Sequence, residues 1–374
     1  MKILHVINSL GNGGAESVLK RLVLNDHLNE HIIIQLISDN FYKKVLEEKN
    51  IKVYYISERL NLLFFIKIFK LPFLYIKIKP DVIQTWMYHS NIIGGLFAFC
   101  IFKKKIFWNI RHSNFPNKIK LKYKLILSIS SFLSHFIPKK IIYCSKVSEK
   151  YHTEYGFSKY KSNLIYNGFE DLFFKIDKNF KKNFSIKYKL NNNIIFGCVG
   201  RWHDQKDHKN LFKALSILKK FQKEIKFKLI LIGKKISLEN SELNNLINTY
   251  NLKNDIIIVE ETNFIQNIYS LFDISILSSS YGEGFSNFLS ESMICGIPCI
   301  STNVGDAQEI ISNLGKISIP SDSNSLYLNI IEFLKIKSNK DTWNYLKNNS
   351  RNHILKNYSI DTMINNYSLL WHAK

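Results

Sequence analysis

Between Arg59 and Ser148 the sequence has a single acidic residue, Asp81, against sixteen lysines and arginines. That is a local excess of +15 in a chain whose net charge is +22. The same stretch holds "NLLFFIKIFKLPFLYIKIK" and "FKKKIFWNIRHSNFPNKIKLKYKLILSISSFLSHFIPKK", where apolar and basic residues interleave. Lysine recurs every few positions, so neither run supplies the ~20 mostly apolar residues of a spanning helix. A basic, aromatic-rich surface resting on anionic lipid headgroups fits the pattern. A plain solvated basic face is the other reading. Nucleic acid is disfavoured as a partner, because the charges sit among long aliphatic runs and no nucleic-acid motif is present.

Other absences narrow the chemistry. The five cysteines form no CxxC pair and no Cys/His zinc spacing. Each lies in an apolar run, which suits reduced, buried thiols in a cytosol rather than a disulfide framework. The opening "MKILHVINSLGNGG" has too short an apolar run for a signal peptide and reads as a first strand. No G-x-G-x-x-G follows that strand, and no glycine loop ends in the lysine of a P-loop, so a nicotinamide enzyme or an NTPase is disfavoured. An Asp-x-Asp metal site is also missing, and no repeat of solenoid period is present.

What is present is enough for two cores: 374 residues, 46% of them hydrophobic and 14% aromatic. Continuous β-branched runs alternate with helical segments: "KILHVI", "HIIIQLIS", "KVYYIS", "DVIQTW", "IFWNI" and "KIIYCS". After a Lys/Asn/Phe-rich connector near 168–192 the series restarts with "NIIFGCVG", "KLILIG", "IIIVE", "DISILSS" and "IPCISTN". Such strands predict parallel sheets covered on both faces. The expected architecture is α/β, with two doubly wound Rossmann-like domains at 1–170 and 171–356. The helical, amphipathic end of the chain, 357–374, is expected to pack back on the first domain.

In doubly wound sheets ligands sit at the carboxyl ends of strands. Four segments fall there. "NSLGNGGAESVLKRL" has Gly11, Gly13 and Gly14 before a helix; they suit close approach to a ligand and equally a tight strand–helix turn. "VGRWHDQKDHKNLFKAL" brings Arg201 and Lys206 to one loop, which suits a diphosphate or an exposed polar turn. "WNIRHSN" puts Arg111 and His112 at a strand end; a lone histidine is more often structural, and the same holds for His89, His203 and His208. In "YGEGFSNFLSESMICGIPCI", Glu283 projects from a turn and Gly284, Phe285, Ser286 and Asn287 crown a helix. Glu291 lies inside that helix, which Pro298 is expected to end. A carboxylate there is either solvent-exposed or in need of a partner, such as a pair of sugar or ribose hydroxyls.

Together these segments resemble the retaining glycosyltransferases of family 4 (glycosyl transferases group 1), which have the GT-B fold. The resemblance spans nearly the whole chain. It rests on the E-x7-E block "EGFSNFLSE" with "SMICGIPCISTNVGDAQEII", and on "GGAE", "LIYNGFE" and "VGRWHDQK" ahead of it in that order. It implies two Rossmann-like domains facing each other across a cleft, acceptor-binding first and nucleotide-sugar-binding second. Arg201 and Lys206 would bind the diphosphate of the donor, approached by Gly13 and Gly14 from the first domain. Glu283 would hold donor-sugar hydroxyls, Gly284, Phe285, Ser286 and Asn287 would line sugar and phosphate, and Glu291 would take the ribose. The resemblance places His112 near the reacting centre, although here it follows Arg111 rather than the usual threonine pattern. The nucleobase would rest near "VEETNF", which lacks the glycine common there.

The activity implied is transfer of a hexose or N-acetylhexosamine from a nucleotide-diphosphate sugar, a UDP-sugar, to a lipid-linked or other bacterial surface-glycan precursor. O-antigen, capsule or protein-glycan assembly would use such a step. The nucleotide-sugar is substrate rather than cofactor, and no metal is required. Partners would be that donor, a glycan or polyprenyl-diphosphate-linked acceptor, and an anionic membrane met by the basic first domain. The location would be cytoplasmic, peripheral on the inner face of the cytoplasmic membrane. The alternatives are a transferase of the same fold with a soluble acceptor, and a catalytically silent nucleotide-sugar-binding scaffold.

Overall fold

The computed structural model describes residues 1–102, 105–115, 120–171, 177–260 and 265–373. Packing divides the chain into two compact units, Met1–Gly168 with Tyr358–Lys374, and Phe169–Asn357.

The first unit is built on seven parallel strands: β1 (Lys2–Ile7), β2 (Glu30–Ile37), β3 (Lys52–Ser57), β4 (Val82–Trp86), β5 (Lys105–Ile110), β6 (Lys140–Tyr143) and β7 (Ser162–Leu164). Their order is β3-β2-β1-β4-β5-β6-β7, so the direction of winding reverses beside β1. Alternate residues of a strand face opposite sides of the sheet, and both sides are apolar. Leu4, Val6 and Ile34 pack with the helices Lys70–Ile78, Met87–Phe102 and Leu121–Ser134. Ile3, Ile7 and Ile33 pack on the other side with the helices Gly14–Asn25 and Ile360–His372. The last helix buries Tyr367 and Trp371 completely, and Trp371 Nε1 donates to Gln84 Oε1 at 2.8 Å.

The second unit has six parallel strands: β8 (Ile194–Val199), β9 (Phe227–Ile232), β10 (Ile256–Val259), β11 (Ile274–Leu277), β12 (Cys299–Thr302) and β13 (Lys316–Ser318). The order β10-β9-β8-β11-β12-β13 reverses between β8 and β11, so the loops after these two strands are neighbours. This is where an open α/β sheet takes its ligand.

Both units bury imidazoles, the first His5, His31 and His152 and the second His208. In the first, His152 sits between the Ser148 carbonyl, which accepts from Nδ1 at 2.7 Å, and the Tyr88 hydroxyl, 2.6 Å from Nε2. Burial lowers its pKa to about 4. In the second, His208 is buried with its ring stacked on Trp202 at 4.9 Å, and burial lowers its pKa to about 3.

Candidate active site

The loops after β8 and β11 bring Lys206, with Arg201 on the same loop, to Glu283, while Glu291 lies apart within the helix that follows. The chain leaves β8 at Val199 and passes Arg201 into the short 3-10 turn Asp204–Lys206. The α-helix His208–Phe221 starts only after Asp207, whose side chain accepts from Asn210 N at 3.1 Å and caps it. Lys206 therefore lies just ahead of the helix, on a turn stitched to the loop after β11. Ser280 N donates to the Gln205 carbonyl at 2.9 Å, and Ser278 Oγ donates to the Lys206 carbonyl at 2.8 Å.

This stitching brings the Lys206 ammonium 2.6 Å from Glu283 Oε1, with the two side chains only 17% and 11% exposed. The same oxygen accepts from Ser279 Oγ at 2.6 Å. A largely desolvated ion pair with a further hydrogen bond is held in one geometry, whereas exposed pairs wander. Lys206 Nζ carries three N–H donors, and the ion pair uses one. Arg201 is exposed, and its Nη2 donates to Gln205 Oε1 at 3.1 Å. Burial lowers the pKa of nearby His203, and the charges of Arg201, Lys206 and Lys235 lower it further. The cations of the loop thus add to burial in disfavouring the protonated form of His203, against the opposing charge of Asp204.

The turn carrying Glu283 is fixed from beneath. Asp306 N donates to the Gly284 carbonyl at 3.1 Å, and Thr302 Oγ1 donates to the Ser279 carbonyl at 2.5 Å. Gly305 has φ +55°, and a Cβ there would lie 2.3 Å from the carbonyl oxygens of both Glu283 and Gly284. Gly305→Ala should therefore cost ~2–3 kcal/mol through left-handed strain and displacement of this turn. Thermal unfolding of the variant checks the prediction; an unchanged transition would show that the turn yields freely.

Ser286 caps the helix Asn287–Ile294, accepting from Leu289 N at 3.4 Å. Of the residues expected to crown this helix, Phe285 is buried, with its ring 6.2 Å from that of Phe169, and Asn287 is the first helical residue. The helix stops at Ile294, before Pro298, because Gly296 turns the chain at φ +67°. Glu291 is half-buried and accepts from the Tyr269 hydroxyl at 2.8 Å. Burial, with the Glu291 carboxylate beside it, raises the Tyr269 pKa well above its ordinary value, so the phenol stays a donor. Gln205, Ser279, Thr302 and Tyr269 escaped the sequence reading. A phenol 22 positions before its carboxylate leaves no local signal.

The first unit positions the remaining candidates. Gly13 caps the helix Gly14–Asn25 in an extended conformation, and its N–H donates to the Gly11 carbonyl at 3.0 Å. His112 is half-buried; its ring stacks on Phe115 at 4.6 Å, and its carbonyl accepts from Ser148 Oγ at 2.6 Å. Arg111 turns inward: its guanidinium lies 5.1 Å from the Trp86 ring and donates to Asn167 Oδ1 at 2.6 Å and to the Tyr367 hydroxyl. Arg111 is thus structural, bracing the strand end that carries His112. In the expected nucleobase segment 259–264, residues 261–264 lie outside the described residues. Among the described residues no group of three or more His, Cys, Asp or Glu side chains is placed to hold a metal ion.

Residues 179–353 match the family model described as Glycosyl transferases group 1. The chain is a glycosyltransferase with a group 1 domain. All four of Arg201, Lys206, Glu283 and Glu291 lie within the matched part of this glycosyltransferase. It is similar to an uncharacterized glycosyltransferase of Methanocaldococcus jannaschii, 27% identical across 83% of this chain and 79% of that protein. It is also similar to the capsular polysaccharide biosynthesis glycosyltransferase CapH of Staphylococcus aureus, 26% identical across 59% of each chain. Among solved structures, Anabaena HepE in complex with UDP and glucose superposes with a TM-score of 0.86 at 20% identity, over 99% of this chain and 98% of that one. A mutant S. aureus TarM in complex with UDP, Fondaparinux and alpha-GlcNAc-glycerol reaches 0.75 at 12% identity, over 100% of both chains. The two parallel sheets of the glycosyltransferase are those of the GT-B fold.

Proposed function

We propose that this glycosyltransferase moves a hexose or N-acetylhexosamine from a UDP-sugar, with retention of anomeric configuration as in family 4, to a lipid-linked surface-glycan precursor at the cytoplasmic membrane face. The observation that carries the reading is the Lys206–Glu283 pair at 2.6 Å, beside Arg201. Breaking the bond between the anomeric carbon and the diphosphate leaves negative charge on the β-phosphate. Lys206 and Arg201 are preorganised to meet that charge, and the step as drawn uses no metal. Glu283, anchored through Oε1, holds hydroxyls of the departing sugar and favours an oxocarbenium-like carbon. Glu291 takes the ribose, with Tyr269 fixing its carboxylate. Gly284, Phe285, Ser286 and Asn287 line sugar and phosphate. Gly13 and Gly14 approach the diphosphate through backbone, and His112 stands near the anomeric centre. The HepE and TarM complexes with UDP support the choice of nucleotide, and CapH supports a surface glycan as product.

Mass spectrometry of products made from a panel of nucleotide sugars and lipid-linked acceptors tests the reading; absence of both transfer and donor hydrolysis across the panel would overturn it. The two glutamates should then separate. Glu291→Gln should weaken UDP affinity by about 10–100-fold, the worth of one or two charged hydrogen bonds, with turnover at saturation kept. Glu283→Gln should reduce turnover and leave UDP affinity nearly intact. If both variants lose only nucleotide affinity, the assignment of Glu283 to the sugar is wrong.

A further inference from the structure

We propose that the outer face of neighbouring helices in the first unit is a docking surface for an anionic lipid bilayer, gripped by shallow insertion of apolar side chains as well as by charge. The helices Leu62–Lys67, Lys70–Ile78, Met87–Phe102 and Leu121–Ser134 pack into one core cluster on one side of the sheet. Phe64, Leu71, Tyr75 and Leu127 point into it and are buried. The rings of Phe69 and Phe97, 5.8 Å apart, tie the first helices to Met87–Phe102.

The outward side of the same helices is also apolar. Leu62 is 82% exposed, Phe73 73%, Leu121 81% and Phe132 65%. Phe65 and Phe69 are exposed with them. A single exposed leucine needs no explanation, but aromatic and aliphatic residues gathered on adjacent helices mark a surface that meets something. The lysines choose the partner. Lys70, Lys77, Lys122 and Lys124 are exposed among these residues. From Arg59 to Ser148 the one carboxylate is Asp81, which accepts from Lys2 N at 2.7 Å at the far end of the strands. A second copy of this face would bring like charge against like charge. An anionic bilayer satisfies both parts, because lysine stems lie along apolar surface while their ammonium groups reach the phosphates. Among the described residues no helix is long and apolar enough to cross the bilayer, so the contact is interfacial.

The surface gives the proposed membrane-borne acceptor a place to be met, and in that sense it rests on the proposed function; its test reads binding, not transfer. The whole protein is sedimented with mixed phosphatidylglycerol–phosphatidylcholine vesicles and with phosphatidylcholine alone. Binding should require the anionic lipid, and part of it should survive high salt, since insertion is not screened. The variant F73S/F132S should bind about tenfold less, with the remainder released by salt. K70E/K77E/K122E should lose binding to the anionic vesicles by a similar factor. Both sets of changes are at exposed positions, so thermal unfolding and UDP affinity should match the parent. Failure of the parent to bind mixed vesicles, or unchanged binding by F73S/F132S, overturns the proposal. So does a parent dimer that F73S/F132S dissociates, which would make the face a contact between copies. Loss of transfer activity with vesicle binding intact would count against the proposed function alone.

Discussion

Lys206→Ala should lower sugar transfer by ~10²–10³-fold, the effect of removing one preorganised group that meets developing negative charge. Two consequences of that substitution need separating. The ammonium is lost from the leaving group, and Glu283, 9% exposed, is left with Ser279 but without its cation. Stripping one partner from a buried pair costs up to ~3–5 kcal/mol of stability, and the partial exposure here places the effect below that. The double variant Lys206→Ala with Glu283→Gln removes the stranded charge. Stability should recover while transfer stays low. Recovery of transfer in the double variant would mean that Lys206 serves the fold and not the diphosphate. Lys206→Arg should retain part of the rate, because the charge persists while its reach and geometry change.

The second large effect is acid instability in both units. His152 and His208 titrate near 6.5 when free, and burial lowers them to about 4 and about 3. A depressed imidazole is neutral in the folded state while the unfolded chain takes the proton. The stability it contributes is complete above the free value and is lost as pH falls toward the folded value. At pH 5 each histidine should have withdrawn ~2 kcal/mol, at 1.36 kcal/mol per unit below the free value. Asp26 adds a later loss. Burial works to raise its pKa, but hydrogen bonds from His31 and Asn29 prevail and hold it at about 2. Its contribution therefore disappears below the usual carboxylate range, from 3.8 down to about 2. Hydrogen exchange read peptide by peptide at pH 7 and pH 5 separates the units. His208→Phe keeps the stack on Trp202 and should flatten the pH response of the second unit alone. An equal loss in parent and variant would place the sensitivity elsewhere.

Much of the fold is legible in the sequence alone. The continuous β-branched runs matched eleven strands, because a parallel strand buried on both faces has no polar alternation to confuse it. The two that escaped, β7 and β13, have three residues each and lie at sheet edges, too short for any periodicity. The helix after Glu283 was misjudged at its end, because Pro298 was credited with a stop that Gly296 makes earlier. The four charged residues of the second unit were singled out because Arg201, Lys206 and Glu283 follow strand ends and Glu291 lies in the helix after one, and strand ends are visible in sequence. Their supports were not. Ser279 and Thr302 are ordinary hydroxyls until the winding of the sheet sets β11 beside β12. For Arg111 the sequence supplied only a place at the strand end beside His112, and the packing against Trp86, Asn167 and Tyr367 reveals its bracing role.

The return of the helix Ile360–His372 to the first sheet sets an order of events during synthesis. Ile3, Ile7, Trp86 and Phe107 lie on the side of that sheet which Tyr367 and Trp371 complete. A ribosome delivers those two aromatics after the entire second unit. The second unit can therefore close on its own contiguous stretch while the first, begun earlier, still waits with an apolar flank uncovered. The unit translated first is the one finished last.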